Sequence, residues 1–218
     1  MTTNLSVPAG VLFPSGAPEV PRLFFQGQPT RCYFKRYKME LDTPANSSPP
    51  ELPEDYSWAE WNVGLADEHA LALFNSFQGE MDSRVFHSFQ SYQGCQGLMN
   101  VLQYRIDFLP QAAWLIRADK VPCGTIQAIL QKNGVVSIQN IGITPKHRGL
   151  GLGSALIQKL IFSAGQGRLP VVSLEVTAEN TQAIRLYQRL GFHKTKLLYK
   201  EVDLKEPVAT VSLTNSQP

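Results

Sequence analysis

The sequence predicts an α+β domain with a mixed, mostly antiparallel central sheet flanked by helices. Two observations carry this prediction. Asn133-Gly134 joins two strand patterns, and this dipeptide is the strongest short-range signal for a β-hairpin. Farther along the chain, a strand pattern, a helix pattern and a second buried strand pattern follow one another, which predicts one β-α-β crossover. The predicted order of elements is β-α-α-β-β-β-α-β-α-β.

The first half of the chain supplies one strand and two helices. Residues 31–42 alternate between apolar and polar side chains, as a half-buried strand does. After a Pro- and Ser-rich connection, helical patterns predict helices over 66–78 and 82–104. Gly94 and Gly97 interrupt the second pattern and indicate a bend, or a place where something approaches the backbone closely.

The second half supplies five strands and two helices. The first of these helices has apolar residues at spacings of three, four and eight, and the second begins at Asn180 and ends near Gly191. The predicted strands are 112–118, 123–132, 135–143, 170–178 and 194–202, and the first helix is 152–165.

The chain has 218 residues, a length typical of one domain or of one domain with an elaboration. Five prolines among the first 30 residues exclude long helices there and favour extended backbone. We therefore expect three parts: a Pro-rich N-terminal extension at 1–30 packed on the domain, a folded domain at 31–202, and a C-terminal tail at 203–218.

The composition of the chain limits the classes of partner that we expect for the protein. Lys and Arg number 20 and Asp and Glu number 18, so the formal charge is +2, which argues against nucleic acid as a partner. No apolar run approaches the roughly 18 residues that cross a bilayer, and the start lacks the pattern of a secretory signal, so we expect no membrane partner. The three cysteines are far apart, which predicts reduced thiols, a cytoplasmic location and no metal site.

The most informative segment is the glycine-rich turn before the 152–165 helix. Gly149, Gly151 and Gly153 remove Cβ atoms where the backbone must turn sharply into a helix. The exposed N–H groups and the positive end of the helix dipole then form an anion site. Arg148 adds a full positive charge beside it, so the segment suits a pyrophosphate.

Two common phosphate-binding motifs do not fit this turn. A dinucleotide fingerprint, G-x-G-x-x-G, needs a glycine where the two reading frames place Ser154 and Leu156. A Walker A loop needs Lys followed by Ser or Thr, and neither pair follows these glycines. The preceding antiparallel hairpin also differs from the parallel start of both nucleotide folds. The pattern that the turn does contain is R-x-x-G-x-G at 148–153.

This hexapeptide resembles the acetyl-CoA motif Q/R-x-x-G-x-G/A of the GCN5-related N-acetyltransferase (GNAT) superfamily. LEVTAENTQAIRLYQRLGF at 174–192 resembles the second signature of that superfamily, a strand, an Asn that opens a helix, and then L-Y-x-x-x-G-F. The resemblance is close over 135–201. It implies the acyl-CoA N-acyltransferase (GNAT) fold, with acetyl-CoA as co-substrate and no metal.

The resemblance also implies where acetyl-CoA binds. The pantetheine arm enters where the strands 135–143 and 170–178 splay apart, and it pairs with the backbone of Ile141, Gly142 and Ile143 as an added strand would. The N–H near Ile143 polarises the thioester carbonyl. Ile141 and Ile143 also suit a strand core, and both roles are compatible because the contact uses backbone. The implied pyrophosphate site consists of Arg148, Gly149, Leu150, Gly151, Leu152, Gly153 and Ser154.

Three further residues match functional positions of the superfamily. Asn180 suits an ordinary helix N-cap, and the resemblance implies that it also reaches the cofactor. Tyr187 is the implied acid that protonates the departing CoA thiolate, although its place on an apolar helix stripe also suits a packed core residue. Glu175 is the candidate base that takes the proton of the amine, with a structural role or a water chain as open alternatives.

These observations predict an acetyl-CoA-dependent N-acetyltransferase that transfers the acetyl group directly to a primary amine through a tetrahedral intermediate. A non-catalytic acyl-CoA-binding regulatory domain is the alternative from another class, and a nucleotide-dependent enzyme is the third. The expected partners are acetyl-CoA and an amine that the sequence does not identify. The resemblance leaves a homodimer open.

Overall fold

The structure, a computed structural model, describes residues 30–204. Nearly all of the predicted N-terminal extension, 1–30, and of the predicted tail, 203–218, therefore lies outside the described residues. Within them the strands are β1 (Thr30–Asp42), β2 (Tyr56–Glu60), β3 (Trp114–Ala118), β4 (Val121–Leu130), β5 (Val135–Ile143), β6 (Val171–Thr177) and β7 (His193–Leu204). The α-helices are α1 (Ala66–Phe77), α2 (Asp82–Val85), α3 (Tyr92–Gln103), α4 (Leu152–Gln166) and α5 (Thr181–Arg189).

The strands form one mixed sheet in the order β2-β3-β4-β5-β6-β1-β7. The β2–β3, β3–β4, β4–β5 and β6–β1 pairs are antiparallel, and β5–β6 is parallel because α4 carries the chain back across the sheet between them. The predicted α+β class, with a mostly antiparallel sheet and helices on its faces, is confirmed. The predicted hairpin is also present, since β4 and β5 flank Asn133-Gly134.

The place of β1 in the sheet is not what its position in the sequence suggests. β1 lies between β6 and β7, and its Lys38 and Met39 pair with Glu175 and Leu174 of β6. The edge beside β3 is taken by β2, a five-residue strand that the sequence analysis assigned to no element. The first of the described strands thus pairs with the last two of them.

The predicted helix over 82–104 is wrong as a single element. It is divided into α2, a 3-10 turn at His87–Gln90 and α3, with Phe86 in extended backbone between the first two. The Ser91 side chain accepts a hydrogen bond from the Gly94 N–H over 3.0 Å, so it caps a newly started helix. A Cβ at Gly94 would lie 2.5 Å from the Ser88 carbonyl oxygen, which confirms the expected close approach.

Helices cover both faces of the sheet. The larger core lies between the sheet and the helices α4 and α5, and residues such as Ile126, Leu156 and Leu160 are fully buried in it. A second core on the opposite face joins α1 to α3, with Leu73 and Met99 at its centre. The sheet thus places α1 and the α2–α3 segment on one side and the glycine-rich start of α4 on the other.

The feature that positions the site is the divergence of β5 from β6. In the described residues their ladder joins Val135–Ser137 of β5 to Val171–Ser173 of β6 and ends there. In the β4–β5 ladder, Asn140 pairs with Gln127 and Ile138 pairs with Ala128, which leaves Gln139 as an extra residue in β5. Such a bulge bends a strand, so β5 turns away from β6 at the point where their pairing ends. The predicted splay is confirmed.

Candidate active site

A cavity of about 730 Å³ lies at the opening between the diverging strands. Its walls come from the second halves of β5 and β6, the first turns of α4 and α5, and the segment from the end of α1 to α3. The predicted site residues that line it are Ile141, Gly142, Ile143, Arg148, Gly149, Gly151, Leu152, Gly153, Ser154, Glu175, Asn180 and Tyr187. Leu150 is half-exposed and does not line the cavity.

The glycine-rich turn presents bare backbone to this cavity. Gly149 and Gly151 both have φ near +79°, a left-handed conformation that side chains disfavour. A Cβ at either position would meet nothing within 4 Å, so the space above the turn is open. Gly151 is the N-cap of α4 and no side chain caps the helix, which leaves its first N–H groups directed outward. The turn therefore has the geometry of an anion site.

Arg148 lines the cavity beside the turn, as predicted, and its guanidinium is bound by groups of the protein. Its guanidinium donates to the Glu80 carboxylate over 2.6 Å and to the Ser76 carbonyl over 2.8 Å, and its Nε donates to the Ile143 carbonyl over 3.1 Å. Because its charge is paired with Glu80, Arg148 joins the turn to the end of α1 and to β5. The positive character of the anion site comes from backbone N–H groups and the α4 dipole.

The open edge of β5 continues the cavity from the turn. Ile141, Gly142 and Ile143 pair with β4 on one side, and on the other side the ladder with β6 has already ended. A strand edge with one unpaired side offers N–H and C=O groups to an extended ligand. The Ile143 carbonyl already accepts a hydrogen bond from Arg148. Between Ile138 and Gly142 the edge of β5 faces the cleft, because the ladder with β6 ends at Ser137.

Asn180 joins three elements at the end of β6. Its side-chain oxygen accepts a hydrogen bond from the Ala183 N–H over 3.1 Å, which confirms the N-cap assignment for α5. Its side-chain amide donates to the Asp82 carboxylate over 3.2 Å, and the hydroxyl of Thr177 donates to the same carboxylate over 2.7 Å. Asp82 thus attaches α2 to the β6–α5 junction.

Tyr187 is both a core residue and a cavity residue. It is 7% exposed, packs in the larger core beside Phe192, and lines the cavity. Burial raises the pKa of its phenol far above the ordinary value, the Asp82 carboxylate raises it further, and the Arg36 guanidinium opposes the rise. The phenol is therefore held in its protonated, proton-donating form. The two roles left open for this residue are compatible.

Glu175 is held by Arg36 of β1. The Arg36 guanidinium forms an ion pair with the Glu175 carboxylate at 3.1 Å and donates to the Glu175 backbone carbonyl over 3.0 Å. The Arg36 side chain is only 12% exposed and stacks on the Phe86 ring at 4.8 Å. Burial lowers the pKa of Arg36, while Glu175 and Asp82 raise it. Glu175 itself remains 46% exposed and reaches the cavity.

Sequence reasoning missed Arg36, Glu80 and Asp82. Each contacts a predicted site residue, and the contacts span 68 to 139 positions in the chain. Asp82 lies at the start of a short helix, where an acidic residue interacts favourably with the helix dipole. Its presence in the sequence therefore has a local explanation that does not require a functional site. Arg36 occupies one of the polar positions of an alternating strand pattern, which gives no indication of a functional role. The contacts themselves carry no sequence signal.

Residues 30–204 contain neither a metal-binding cluster nor a membrane-spanning helix. No group of three His, Cys, Asp or Glu side chains in this range is arranged to hold a metal ion. No helix in the same range is long and apolar enough to cross a bilayer. Cys32, Cys95 and Cys123 are free thiols.

Comparison with known proteins agrees with this geometry. A model of the acetyltransferase (GNAT) family matches residues 83–192, which is half of the chain. The chain is 39% identical over 69 residues to an uncharacterized N-acetyltransferase of Methanocaldococcus jannaschii, which covers 32% of this chain and 30% of that protein. It is 50% identical over 52 residues to the mycothiol acetyltransferase of Acidothermus cellulolyticus, which covers 24% of this chain and 16% of that protein.

These matches span less than a third of the length of either relative. Among solved structures, a GCN5-related N-acetyltransferase from Sphaerobacter thermophilus superposes with a TM-score of 0.57 at 22% identity. The superposition covers 81% of this chain and 52% of that one, and it shows a common fold. The matched residues 83–192 include the glycine-rich turn, β6 and α5, where the cavity lies. The chain belongs to the acetyltransferase (GNAT) family.

Proposed function

We propose that the protein transfers the acetyl group of acetyl-CoA directly to a primary amine through a tetrahedral intermediate. The observation that carries the proposal is the cleft between β5 and β6, which opens at a bulge and leads from a glycine-rich helix N-terminus to Tyr187 and Glu175. An anion site, an open strand edge, a proton donor and a carboxylate thus meet along one cavity.

The cofactor-binding half of the proposal uses backbone groups. The N–H groups from Gly149 to Ser154 bind the pyrophosphate, since the space above the turn is open and α4 has no capping side chain. The pantetheine arm pairs with the unpaired edge of β5 around Ile141 and Gly142. Arg148 contributes by fixing the turn against α1 through Glu80, rather than by contacting the phosphates.

The catalytic half uses two side chains. Glu175 takes the proton of the incoming ammonium group, because only the neutral amine has a lone pair for attack on the thioester carbon. Backbone N–H groups at the β5 edge stabilise the oxyanion that forms. Tyr187 donates its proton to the departing thiolate, and burial keeps that proton in place until it is needed. The carbon–nitrogen bond forms first and gives the tetrahedral intermediate. Its collapse then breaks the carbon–sulfur bond, and the second proton that leaves the amine nitrogen restores the Tyr187 phenol.

The names of the relatives support the same chemistry. Both are acetyltransferases, and one of them is named for an amine-acetylating activity, N-acetyltransferase. The similar segment contains the glycine-rich turn and α5, where we place cofactor binding and the proton donor.

The test is CoA release from acetyl-CoA in the presence of a panel of primary amines. We expect release that depends on the amine, and stoichiometric appearance of the N-acetyl product by mass spectrometry. CoA should raise the thermal unfolding midpoint, because a ligand at 100 times its Kd stabilises by about 2.7 kcal/mol, whereas ATP and NAD should not.

Two other results would assign another function. CoA binding without release in the presence of any amine, unchanged by Tyr187→Phe, would indicate an acyl-CoA-binding regulatory domain. Stabilisation by ATP or NAD but not by CoA would indicate a nucleotide-dependent enzyme.

A further inference from the structure

A second cavity lies beside the first, on the side of β1 and β7. It measures about 420 Å³ and is lined by Arg36, Glu175, Leu198, Tyr199, Lys200 and Glu201. Arg36 and Glu175 line both cavities, so the ion pair between them forms the partition. A molecule whose amine approaches Glu175 from the main cavity can therefore extend a second group past this pair.

The charged side chains of the second cavity differ in whether they form ion pairs. The Glu175 carboxylate is paired with Arg36 at 3.1 Å, and the Glu201 carboxylate is paired with Arg31 at 2.9 Å. Lys200 is the remaining charged side chain of the lining, and no carboxylate in the described part of the chain pairs with it. The lining therefore holds two cations and two carboxylates, and Lys200 is the cation that no carboxylate of the described residues pairs with.

One aromatic ring holds the two cations of this cavity. The Arg36 guanidinium lies 4.8 Å and the Lys200 ammonium 5.0 Å from the centre of the Phe86 ring. The ring attracts each cation, but two positive charges held against one ring repel each other. An anionic group placed beside them would relieve this repulsion and accept hydrogen bonds from Lys200.

We propose that this second cavity binds an anionic group of the acceptor, so that the acceptor is a primary amine that also carries a carboxylate or a phosphate. The inference rests on the proposed acetyl transfer and adds the substrate class to it. The amine lies at Glu175 and the anion at Lys200, on opposite sides of the Arg36–Glu175 pair. Leu198 and Tyr199 cover the chain that connects the two groups.

The experiment compares acceptors that differ only in the anion. A series of ω-amino carboxylates is assayed against the corresponding primary amides, and a series of aminoalkyl phosphates against the corresponding amino alcohols. We expect kcat/KM to be higher for the anionic member of at least one matched pair by roughly tenfold, the scale of one hydrogen bond to a charged group. The pair with the larger ratio distinguishes a carboxylate from a phosphate.

The variant Lys200→Gln tests whether the preference for anionic over neutral acceptors arises in this cavity. We expect it to reduce the anion-to-neutral ratio to about one while the neutral amines keep their wild-type kcat/KM, because Lys200 takes no part in the chemistry. The matched control is Lys196→Gln, on the same strand, exposed and outside both cavities. It should keep the wild-type ratio.

Two results overturn this inference without touching the proposed transfer. One is equal kcat/KM for the anionic and neutral members of every pair in the wild-type protein. The other is a preference for the anion that survives Lys200→Gln. Failure of the proposed function gives a different result, namely no acetyl transfer to any amine of either series.

Discussion

The side-chain amide of Asn180 donates a hydrogen bond to the carboxylate of Asp82 over 3.2 Å, between residues 98 positions apart in the chain. Thr177 donates to the same carboxylate, so Asp82 joins the start of α2 to the start of α5, the helix that carries Tyr187. Together with the ion pair of Glu80 and Arg148, it attaches the segment between α1 and α3 at two points.

Replacing Asp82 tests this attachment. We expect Asp82→Ala to lower the free energy of unfolding by about 1–3 kcal/mol, because the buried Thr177 hydroxyl loses its acceptor. Amide hydrogen exchange in residues 79–91 should become faster, since the segment then loses its hydrogen bonds to Thr177 and Asn180. Chemical denaturation and exchange mass spectrometry measure the two effects.

A double-mutant cycle provides the control for Asp82. Thr177→Val removes the donor, and the coupling energy between Asp82→Ala and Thr177→Val should be about 0.5–3 kcal/mol. Strictly additive effects of the two substitutions would show that the hydrogen bond contributes nothing to stability.

The glycine-rich turn makes a prediction about CoA affinity. We expect Gly151→Ala to raise the Kd for CoA at least tenfold, because its Cβ would occupy the open space where the proposal places the pyrophosphate. Gly134→Ala is a matched control, since Gly134 has φ +80° and no neighbour within 4 Å but lies in the β4–β5 hairpin. Both variants should lose about 1 kcal/mol of stability from left-handed backbone strain.

Isothermal titration of each glycine variant with CoA distinguishes the effect of backbone strain, which both variants share, from the effect of blocking the proposed pyrophosphate site, which only Gly151→Ala has. Equal Kd values for the two variants would mean that the turn does not contact the cofactor.

Tyr187→Phe tests the proposed acid. We expect kcat to fall by roughly a hundredfold or more, the usual effect of removing a general acid, with little change in the Kd for CoA. The raised pKa of the phenol also has a consequence for pH. Wild-type activity should rise with pH as the amine loses its proton, and no decline from ionisation of Tyr187 should appear up to about pH 10, the ordinary value for tyrosine.

A pH–rate profile measured with one amine tests both statements. A decline in activity near neutral pH that Tyr187→Phe abolishes would contradict them.

His69 predicts how stability depends on pH. His69 lies on α1, and its fully buried ring packs at a tilt against Trp61, with 4.6 Å between the ring centres, and shares hydrogen bonds with Thr125 and Gln127. Burial lowers the pKa from 6.5 to about 3, and the Arg117 charge adds to the effect. The unfolded chain therefore binds a proton that the folded protein does not bind between these values. We expect the free energy of unfolding to fall by roughly 1.4 kcal/mol per pH unit below 6.5.

Urea denaturation at several pH values between 7 and 4 measures this slope. His69→Gln should show a shallower decline, because the titrating group is absent. His87→Gln, at an exposed position, should keep the wild-type slope. Identical slopes in all three proteins would show that His69 is not the group responsible.

The parts of the fold with a local signal could be predicted from the sequence. The Asn133-Gly134 hairpin, the glycine-rich turn and the Asn180 cap each depend on neighbouring residues, and the structure contains all three. The break of the 82–104 helix was missed because the apolar stripe continues through Phe86 and Phe89, whereas the break itself depends on capping by Ser91.

The parts of the fold and of the site that could not be predicted depend on contacts between segments that are distant in the sequence. β2 has five residues and becomes a strand through its pairing with β3, so its own pattern is too short to be decisive. The contacts of Arg36 and Asp82 within the site arise only after β1 has entered the sheet and α2 has reached the end of β6. Backbone geometry could thus be inferred at the cofactor side, while the acceptor side required the three-dimensional structure.

The insertion of β1 between β6 and β7 also governs the order in which the protein can fold during its synthesis. Among the described strands β1 is synthesised first, whereas its hydrogen-bonding partners β6 and β7 are synthesised last, and 139 positions separate Arg36 from Glu175. Pairings of such long sequence separation form slowly, because chain-closure entropy must be overcome before the contact is made. The acceptor side of the cavity is therefore completed only after β6 and β7 have been synthesised, and a nascent chain that lacks β6 and β7 exposes both edges of β1 to other proteins.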